Sequence, residues 1–246
     1  MMLKGKTAIV TGAACAAGLA AVRVLIEDGA QVALVDSDAL RLDSLIRFLR
    51  GTTVAVPCDG SDPGAVRQAY AQIEKVLGPV DILVNTCDRP SSSKLETTDP
   101  DEWRRALAAH ADSAFHWIAA AMPGMKKRSW GRIVNVLPPG AKNGAPDVGP
   151  AYAAACGALA SLTFALAREE APHGVTVNAI APGPIEGSST IEPLNEAQRR
   201  QLLAQVPLGR FCRPEEFAHV VRFLVSPQAG FVTGEIVDVN GGTVMD

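Results

Sequence analysis

Short apolar stretches rich in β-branched residues alternate along this chain with longer amphipathic segments. The apolar stretches are TAIVTG (7–12), QVALVD (31–36), TTVAVP (52–57), VDILVN (80–85), GRIVNV (131–136), GVTVNAI (174–180) and GEIVDVN (234–240). Helical patterns cover residues 17–28, 38–49, 63–76, 101–125, 152–171, 196–205 and 214–225. Because parallel strands are joined by crossover helices, the alternation predicts an α/β fold built on one doubly wound, parallel, seven-stranded sheet.

Length and composition favour one globular domain over residues 1–246. The chain has 246 residues, of which 48% are hydrophobic and 20% charged, enough for a substantial core. A net charge of -3 provides no general attraction for nucleic acid or acidic membranes. The N-terminus MMLKGKTAIVTG runs directly into a strand pattern, and no long uninterrupted apolar run follows. We therefore expect a soluble, cytoplasmic protein with no nucleic-acid or membrane partner.

The cysteines predict free thiols rather than disulfides or a metal centre. The five are Cys15, Cys58, Cys87, Cys156 and Cys212, an odd number with no CxxC pair or Cys/His cluster at metal spacing. We expect no bound metal.

A glycine-containing turn, TGAACAAG (11–18), follows the first predicted strand and opens the first helix. Backbone amides and the helix N-terminus could meet a pyrophosphate there, with Gly12 and Gly18 allowing close approach. Asp36 ends the second strand and could accept hydrogen bonds from a ribose diol, and its charge would repel a 2'-phosphate. The pattern favours NAD over NADP. Alternatively, Asp36 only caps the next turn.

These features and several later motifs resemble the short-chain dehydrogenase/reductase family. The later motifs are DILVN (81–85), GRIVNV (131–136), NAIAPGPI (178–185), PLGRFCRPEEFA (207–218) and VTGEIVDVNGG (232–242). The order matches the family along essentially the whole chain, and the 3-oxoacyl carrier-protein reductase and hydroxyacyl-CoA dehydrogenase types are the most similar. The resemblance implies a Rossmann-type subunit in a dimer or tetramer, with Asp59 near the adenine and Asn85 near the adenosine ribose.

The catalytic positions depart from the family pattern. The family uses a tyrosine as general acid/base, a lysine to lower its pKa, a serine to hold the substrate oxygen and an asparagine in a proton relay. Tyr152 matches the tyrosine, whereas Cys156, Pro138 and His110 stand at the lysine, serine and asparagine positions. Near the cofactor, the family's NNAG motif is NTCD (85–88) in this chain, so Asp88 replaces the motif's glycine. Ala16 replaces the middle glycine of the turn.

The replacements all predict a weaker active site. A tyrosine with a pKa of about 10 is ionised in roughly one molecule in a thousand at neutral pH, and a neutral thiol gives it no help. Pro138 has neither a hydroxyl nor an N–H to hold a carbonyl oxygen. Loss of one such donor costs about 3 to 4 kcal/mol of transition-state stabilisation. We expect Gly12, Gly18, Asp36, Asp59 and Asn85 to form at most a weak or vestigial NAD site.

Our leading hypothesis is a catalytically impaired subunit that assembles with an active, NAD-binding paralogue, as a hetero-oligomer and most simply a tetramer. The family contains hetero-oligomeric hydroxyacyl-CoA dehydrogenases in which one subunit type has a degenerate site. This chain resembles that kind of subunit, for example in the enzyme of the benzylsuccinate route of anaerobic toluene degradation. The alternatives are an active NAD-dependent alcohol dehydrogenase or ketoreductase using Tyr152 with atypical helpers, and a nucleotide-responsive binding module. Cys156 and His110 could also form a thiolate/imidazole pair, although a lone cysteine on a helix is more often a packed residue and a core histidine is the favoured interpretation of His110.

Overall fold

The computed structural model describes residues 1–87, 93–137 and 149–245. Its sheet has seven parallel strands in the order β3-β2-β1-β4-β5-β6-β7. The strands are β1 (Thr7–Thr11), β2 (Gln31–Asp36), β3 (Thr53–Pro57), β4 (Ile82–Asn85), β5 (Gly131–Val136), β6 (Val175–Pro182) and β7 (Ile236–Val239). The predicted α/β class and the parallel seven-stranded sheet are confirmed.

Eight α-helices connect and cover the strands in the described part of the chain. They are α1 (Ala16–Glu27), α2 (Ala39–Ile46), α3 (Pro63–Leu77), α4 (Pro100–Leu107), α5 (Ser113–Lys127), α6 (Pro150–Glu170), α7 (Glu196–Leu203) and α8 (Pro214–Val225). Short 3₁₀ turns lie at Leu95–Thr97, Ala171–His173 and Pro227–Ala229. The single helix predicted over 101–125 is instead α4 and α5 joined by a π-helical turn, Ala108–Asp112. Sequence periodicity does not reveal a one-residue insertion in a helix.

Both faces of the sheet are buried, which explains why its strands are apolar throughout. Along β1, Val10 packs with α1 and α8 on one face, while the neighbouring Ile9 packs with α3 and α5 on the other. Successive side chains of a strand point to opposite faces, so a strand covered on both sides needs apolar residues at every position.

The longest helix, α6, belongs to the core. Residues Pro150–His173 are long and apolar enough to cross a membrane by length and composition, with a mean hydropathy of 1.5. In the structure α6 packs against β6 and α4 and buries Tyr152, Cys156 and Leu159. Its apolar character therefore has a sufficient explanation in packing, and the helix holds two predicted site residues on its buried side.

Candidate active site

The turn between β1 and α1 needs glycine for steric reasons. Gly12 has φ = +57°, in the left-handed region, and a Cβ there would overlap the backbone carbonyl oxygen of Thr86. A Cβ on Gly18 would overlap the carbonyl oxygen of Gly12. The tight turn thus draws β1, α1 and the segment after β4 together at the carboxyl edge of the sheet, where doubly wound folds bind ligands.

Cys15 caps the helix that starts at this turn. Its Sγ accepts a hydrogen bond from the Gly18 amide at 3.2 Å and lies 3.4 Å from Oγ1 of Thr86. One of the helix N-terminal amides that would otherwise face an anion is therefore already bonded to a side chain. The turn retains the shape expected of a pyrophosphate site, but it offers a phosphate fewer backbone amides than it would if the Gly18 amide were not bonded to Cys15.

Asp36 lies between the turn and the start of the next helix. Its Oδ2 accepts from the Ala14 amide at 3.1 Å, and its Oδ1 accepts from the Asp38 amide at 3.1 Å. The capping role weighed as an alternative is thus present, together with a direct link to the phosphate turn. A carboxylate has about four lone-pair sites, so these two bonds leave capacity for a ribose diol. Its contact with NAD stays a prediction.

Asp59 and Asn85 differ in how open they are to a ligand. Asp59, two residues beyond β3, accepts hydrogen bonds from the amide and hydroxyl of Ser61 at 3.0 and 2.7 Å. Asn85 is buried at the end of β4, and its Nδ2 donates to Oδ1 of Asn135 at 2.9 Å. Its Oδ1 is buried with no hydrogen-bond partner among the described residues. Both expected roles beside the adenosine stay predictions.

Tyr152 and His110 are brought together as the family pattern implies. The π-helical turn presents His110, which is only 3% exposed, to the first turn of α6. The His110 and Tyr152 rings meet edge to face with their centroids 4.8 Å apart. Single π-helical turns occur often at functional sites because they redirect one side chain. Here the redirected side chain is the residue at the family's asparagine position.

Cys156 faces its own helix rather than a ligand. Its Sγ donates to the backbone carbonyl oxygen of Tyr152 at 2.8 Å, and the residue is 1% exposed. Burial raises the pKa of the Cys156 thiol to about 12, so it remains neutral at physiological pH. The lysine position of the family therefore carries no positive charge in this chain.

The Cys156/His110 pair weighed from the sequence is not the one that the structure forms. Nε2 of His110 instead lies 3.9 Å from Sγ of Cys87, which follows β4 and is half-buried. Sequence reasoning missed this role of Cys87 because the stretch NTCD draws attention only to Asp88. Two predicted site residues, Pro138 and Asp88, lie outside the described residues. Within the described ranges no group of three His, Cys, Asp or Glu side chains could hold a metal ion.

Comparison with known proteins gives matches along the whole chain. A family profile described as Enoyl-(Acyl carrier protein) reductase matches residues 12–244. The chain is 37% identical over 246 residues to a 3-oxoacyl-[acyl-carrier-protein] reductase of Vibrio cholerae and 38% identical over 249 residues to that of Pseudomonas aeruginosa. It is 32% identical over 248 residues to the Thermotoga maritima reductase. All of both chains is covered in each comparison.

Proposed function

The chain belongs to the short-chain dehydrogenase/reductase family of oxidoreductases, and from that membership we propose that it is a catalytically impaired subunit of an NAD-dependent dehydrogenase. The chain matches 3-oxoacyl-[acyl-carrier-protein] reductases over their full length, so the proposal concerns the reactive centre and not the scaffold. The active site of the complex would belong to a paralogous subunit.

One observation carries this proposal: the position of the family's lysine holds a buried, neutral thiol. A cation beside Tyr152 would favour the tyrosinate by Coulomb attraction, and a neutral group does not. The Cys156 thiol is also committed to the Tyr152 carbonyl oxygen. It could not reach a nicotinamide ribose while it makes that bond.

The adenosine half of a dinucleotide site fits the residues better than the reactive half. Asp36 and the Gly12 turn would hold an adenosine diphosphate by the bonds that such sites use. When bound, NAD would supply hydride transfer. The chain's own Tyr152 would have to exchange the proton without a cation beside it, so we propose that productive NAD binding occurs in the partner subunit and is weak or absent here.

Two sets of exposed aromatic side chains are candidate contact surfaces for another subunit. The first surface consists of Phe223 on α8 and Phe231, which is fully exposed just beyond the following 3₁₀ turn. The second consists of Trp103 on α4, Phe115 on α5 and Phe164 on α6, which are 42%, 52% and 51% exposed. Aromatic side chains are enriched in protein interfaces and among the residues that dominate binding there.

A hetero-tetramer formed in the cytoplasm with an active paralogue would bury both surfaces. The resemblance to hydroxyacyl-CoA dehydrogenases, including the enzyme of the benzylsuccinate route, suggests an acyl thioester as the substrate of that complex. In this arrangement the chain described here would stabilise and shape the active partner.

The decisive experiment is co-expression with a dehydrogenase encoded beside this chain, followed by native mass spectrometry. We expect a mixed complex whose NAD-dependent turnover survives Tyr152→Phe in this chain and is lost when the partner's own catalytic tyrosine is changed. A stable homo-oligomer that ignores the partner would refute the proposal.

A second candidate is an active ketoreductase in which His110 assists Tyr152. The edge-to-face contact of the two rings and the full-length similarity to 3-oxoacyl reductases favour it. Turnover of a 3-oxoacyl thioester by the isolated chain, abolished by Tyr152→Phe, would establish this function instead.

Calorimetric titration of the isolated chain with NAD separates these candidates early. We expect no heat of binding at micromolar NAD if the chain is an impaired subunit. Micromolar binding would favour the ketoreductase, and binding that Asp36→Ala removes would identify the adenosine site. Binding without any turnover would instead support a nucleotide-responsive module, the third possibility that the sequence raises.

A further inference from the structure

We infer that Cys87, paired with His110, forms a nucleophilic site that captures α,β-unsaturated carbonyl compounds by conjugate addition. The site lies at the carboxyl edge of the sheet, between the end of β4 and the π-helical turn. It does not depend on hydride transfer and is therefore separate from dehydrogenase chemistry.

The geometry pairs a thiol with a base. Sγ of Cys87 lies 3.9 Å from Nε2 of His110, within reach of a sulfur hydrogen bond. With the ring proton on Nδ1, Nε2 can accept the thiol proton and leave a thiolate, which is the reactive nucleophile. His110 is held in place because its ring packs edge to face against Tyr152.

Accessibility distinguishes Cys87 from Cys156. Cys87 is half-buried, so one side of the residue remains open to solvent, whereas Cys156 is almost completely enclosed. Burial raises the pKa of Cys58 to about 11 and that of Cys156 to about 12, and it also raises the pKa of Cys212. A raised pKa lowers the thiolate fraction of these three side chains at neutral pH, and within the described part of the chain none of them is placed beside a histidine nitrogen as Cys87 is.

The reaction balances without an oxidant or a leaving group. The Cys87 sulfur forms a bond to the β-carbon of the electrophile as its proton passes to Nε2 of His110. The carbon–carbon π electrons move toward the carbonyl, giving an enolate. His110 then returns the proton to the α-carbon, so the product is a thioether, and the imidazole and the sulfur both end neutral, as they began.

The titratable groups shown near the pair are the Tyr152 phenol, which contacts His110, and the Cys156 thiol, which lies close enough to Cys87 to interact electrostatically. Burial raises the pKa of the Cys156 thiol to about 12, which keeps that thiol neutral at physiological pH. It therefore does not compete with His110 for the proton of Cys87.

The test uses N-ethylmaleimide, itself an α,β-unsaturated carbonyl compound, on the native full-length protein, with site-resolved peptide mass spectrometry. We expect Cys87 to react at least about tenfold faster than Cys212 at neutral pH. His110→Asn should slow Cys87 by about tenfold without changing Cys212. His116→Asn serves as the matched control, because His116 bonds Gly60 away from Cys87, and should change neither rate.

A pH profile distinguishes a base from a packing residue. In the wild type, the rate at which N-ethylmaleimide alkylates Cys87 should fall by less than about tenfold for each pH unit below neutrality. In His110→Asn it should fall by about tenfold per pH unit, as it does for an ordinary thiol. A Cys87 that reacts no faster than Cys212, or one indifferent to His110→Asn, overturns the inference. If His110→Asn unfolds and exposes all thiols, His110→Gln replaces it. The ratio of the Cys87 and Cys212 alkylation rates in the wild type then still tests whether Cys87 is unusually reactive.

Discussion

The Cys156 thiol donates a hydrogen bond to the backbone carbonyl oxygen of Tyr152, the residue one helical turn before it, at 2.8 Å. The contact lies inside α6 on the side buried against the site. It satisfies the thiol within its own helix and leaves no group at position 156 directed toward a bound cofactor.

The first prediction is that Cys156 resists alkylation in the native protein. Its pKa of about 12 and its burial keep it protonated and out of contact with reagent. We expect iodoacetamide to modify Cys156 only after unfolding in urea, as measured by peptide mass spectrometry between about pH 7 and 9. Modification of native Cys156 at the rate of a small-molecule thiol would contradict the hydrogen-bonded, neutral state.

The second prediction concerns stability at alkaline pH. The folded pKa of Cys156 is raised to about 12 and that of Cys58 to about 11, above the value of about 8.5 in an unfolded chain. Above that unfolded pKa only the unfolded state ionises, so the stabilisation present at neutral pH is lost as pH rises toward 11 to 12.

Urea unfolding followed at about pH 7.5 and 10 measures this loss. The free energy of unfolding should fall between the two pH values, and it should fall less in Cys156→Ala because that variant has one fewer buried thiol to ionise. An identical pH dependence in Cys156→Ala and the wild type would show that Cys156 is not responsible.

The third prediction is a gain of function. Combining Cys156→Lys, Pro138→Ser and His110→Asn restores the three family residues around Tyr152. We expect NAD-dependent turnover of a 3-oxoacyl or hydroxyacyl thioester to rise by about a hundredfold or more, because each restored donor or charge acts on the developing transition state.

Two controls accompany that triple variant. Cys156→Met in place of Cys156→Lys supplies a similar length without the charge and should not raise turnover. Tyr152→Phe in the restored background should abolish it. A wild-type chain that already turns over as fast as the restored variant would contradict an impaired site and favour the ketoreductase.

The fourth prediction compares two glycines with opposite requirements. Gly12→Ala forces a left-handed backbone and a contact with Thr86, and should lower the free energy of unfolding by about 2 kcal/mol or more. Gly157 lies inside α6, and beyond its own helical backbone and chain neighbours no atom of the described residues lies within 4 Å of the position that an added Cβ would occupy. Gly157→Ala should therefore stabilise by about 0.5 to 1 kcal/mol. Urea unfolding of both variants checks the pair, and equal effects would refute the steric account.

The sheet could be predicted from sequence because its physical signal is local. Strands covered on both faces, such as VDILVN and GRIVNV, are continuous apolar runs, and Asp62 before Pro63 marks a helix start that the structure confirms. The π-helical turn at His110 has no comparable signal, because its extra residue is fixed by packing between α4, α5 and α6.

The site was predictable only in part for the same reason. The similarity of the motifs to a known family placed Tyr152, Cys156 and His110 in one region, and the Tyr152–His110 contact follows. The partner of His110 was not predictable, because Cys87 lies 23 residues away and the pairing depends on the phase of the π-helical turn. The residue spacing of a regular α-helix would predict a different direction for the His110 side chain.

The last prediction tests the exposed surface formed by Phe223 and Phe231. Both side chains are large, apolar and exposed, and Phe231 is fully so. If they anchor a subunit interface, Phe231→Ser should weaken association by about tenfold or more, since losing an aromatic anchor costs about 1 to 4 kcal/mol of binding free energy. Analytical ultracentrifugation of the chain alone and of the co-expressed complex measures the change.

Phe48→Ser provides the matched control, because Phe48 is 85% exposed just beyond α2 and belongs to a different element from Phe223 and Phe231. It removes the same side chain at a different part of the chain and should leave association unchanged. Both variants should keep the wild-type thermal stability because neither side chain packs in the core. Equal weakening by the two variants would mean that solubility, not a specific contact, controls assembly. No weakening by Phe231→Ser would direct the search to the second surface, formed by Trp103, Phe115 and Phe164.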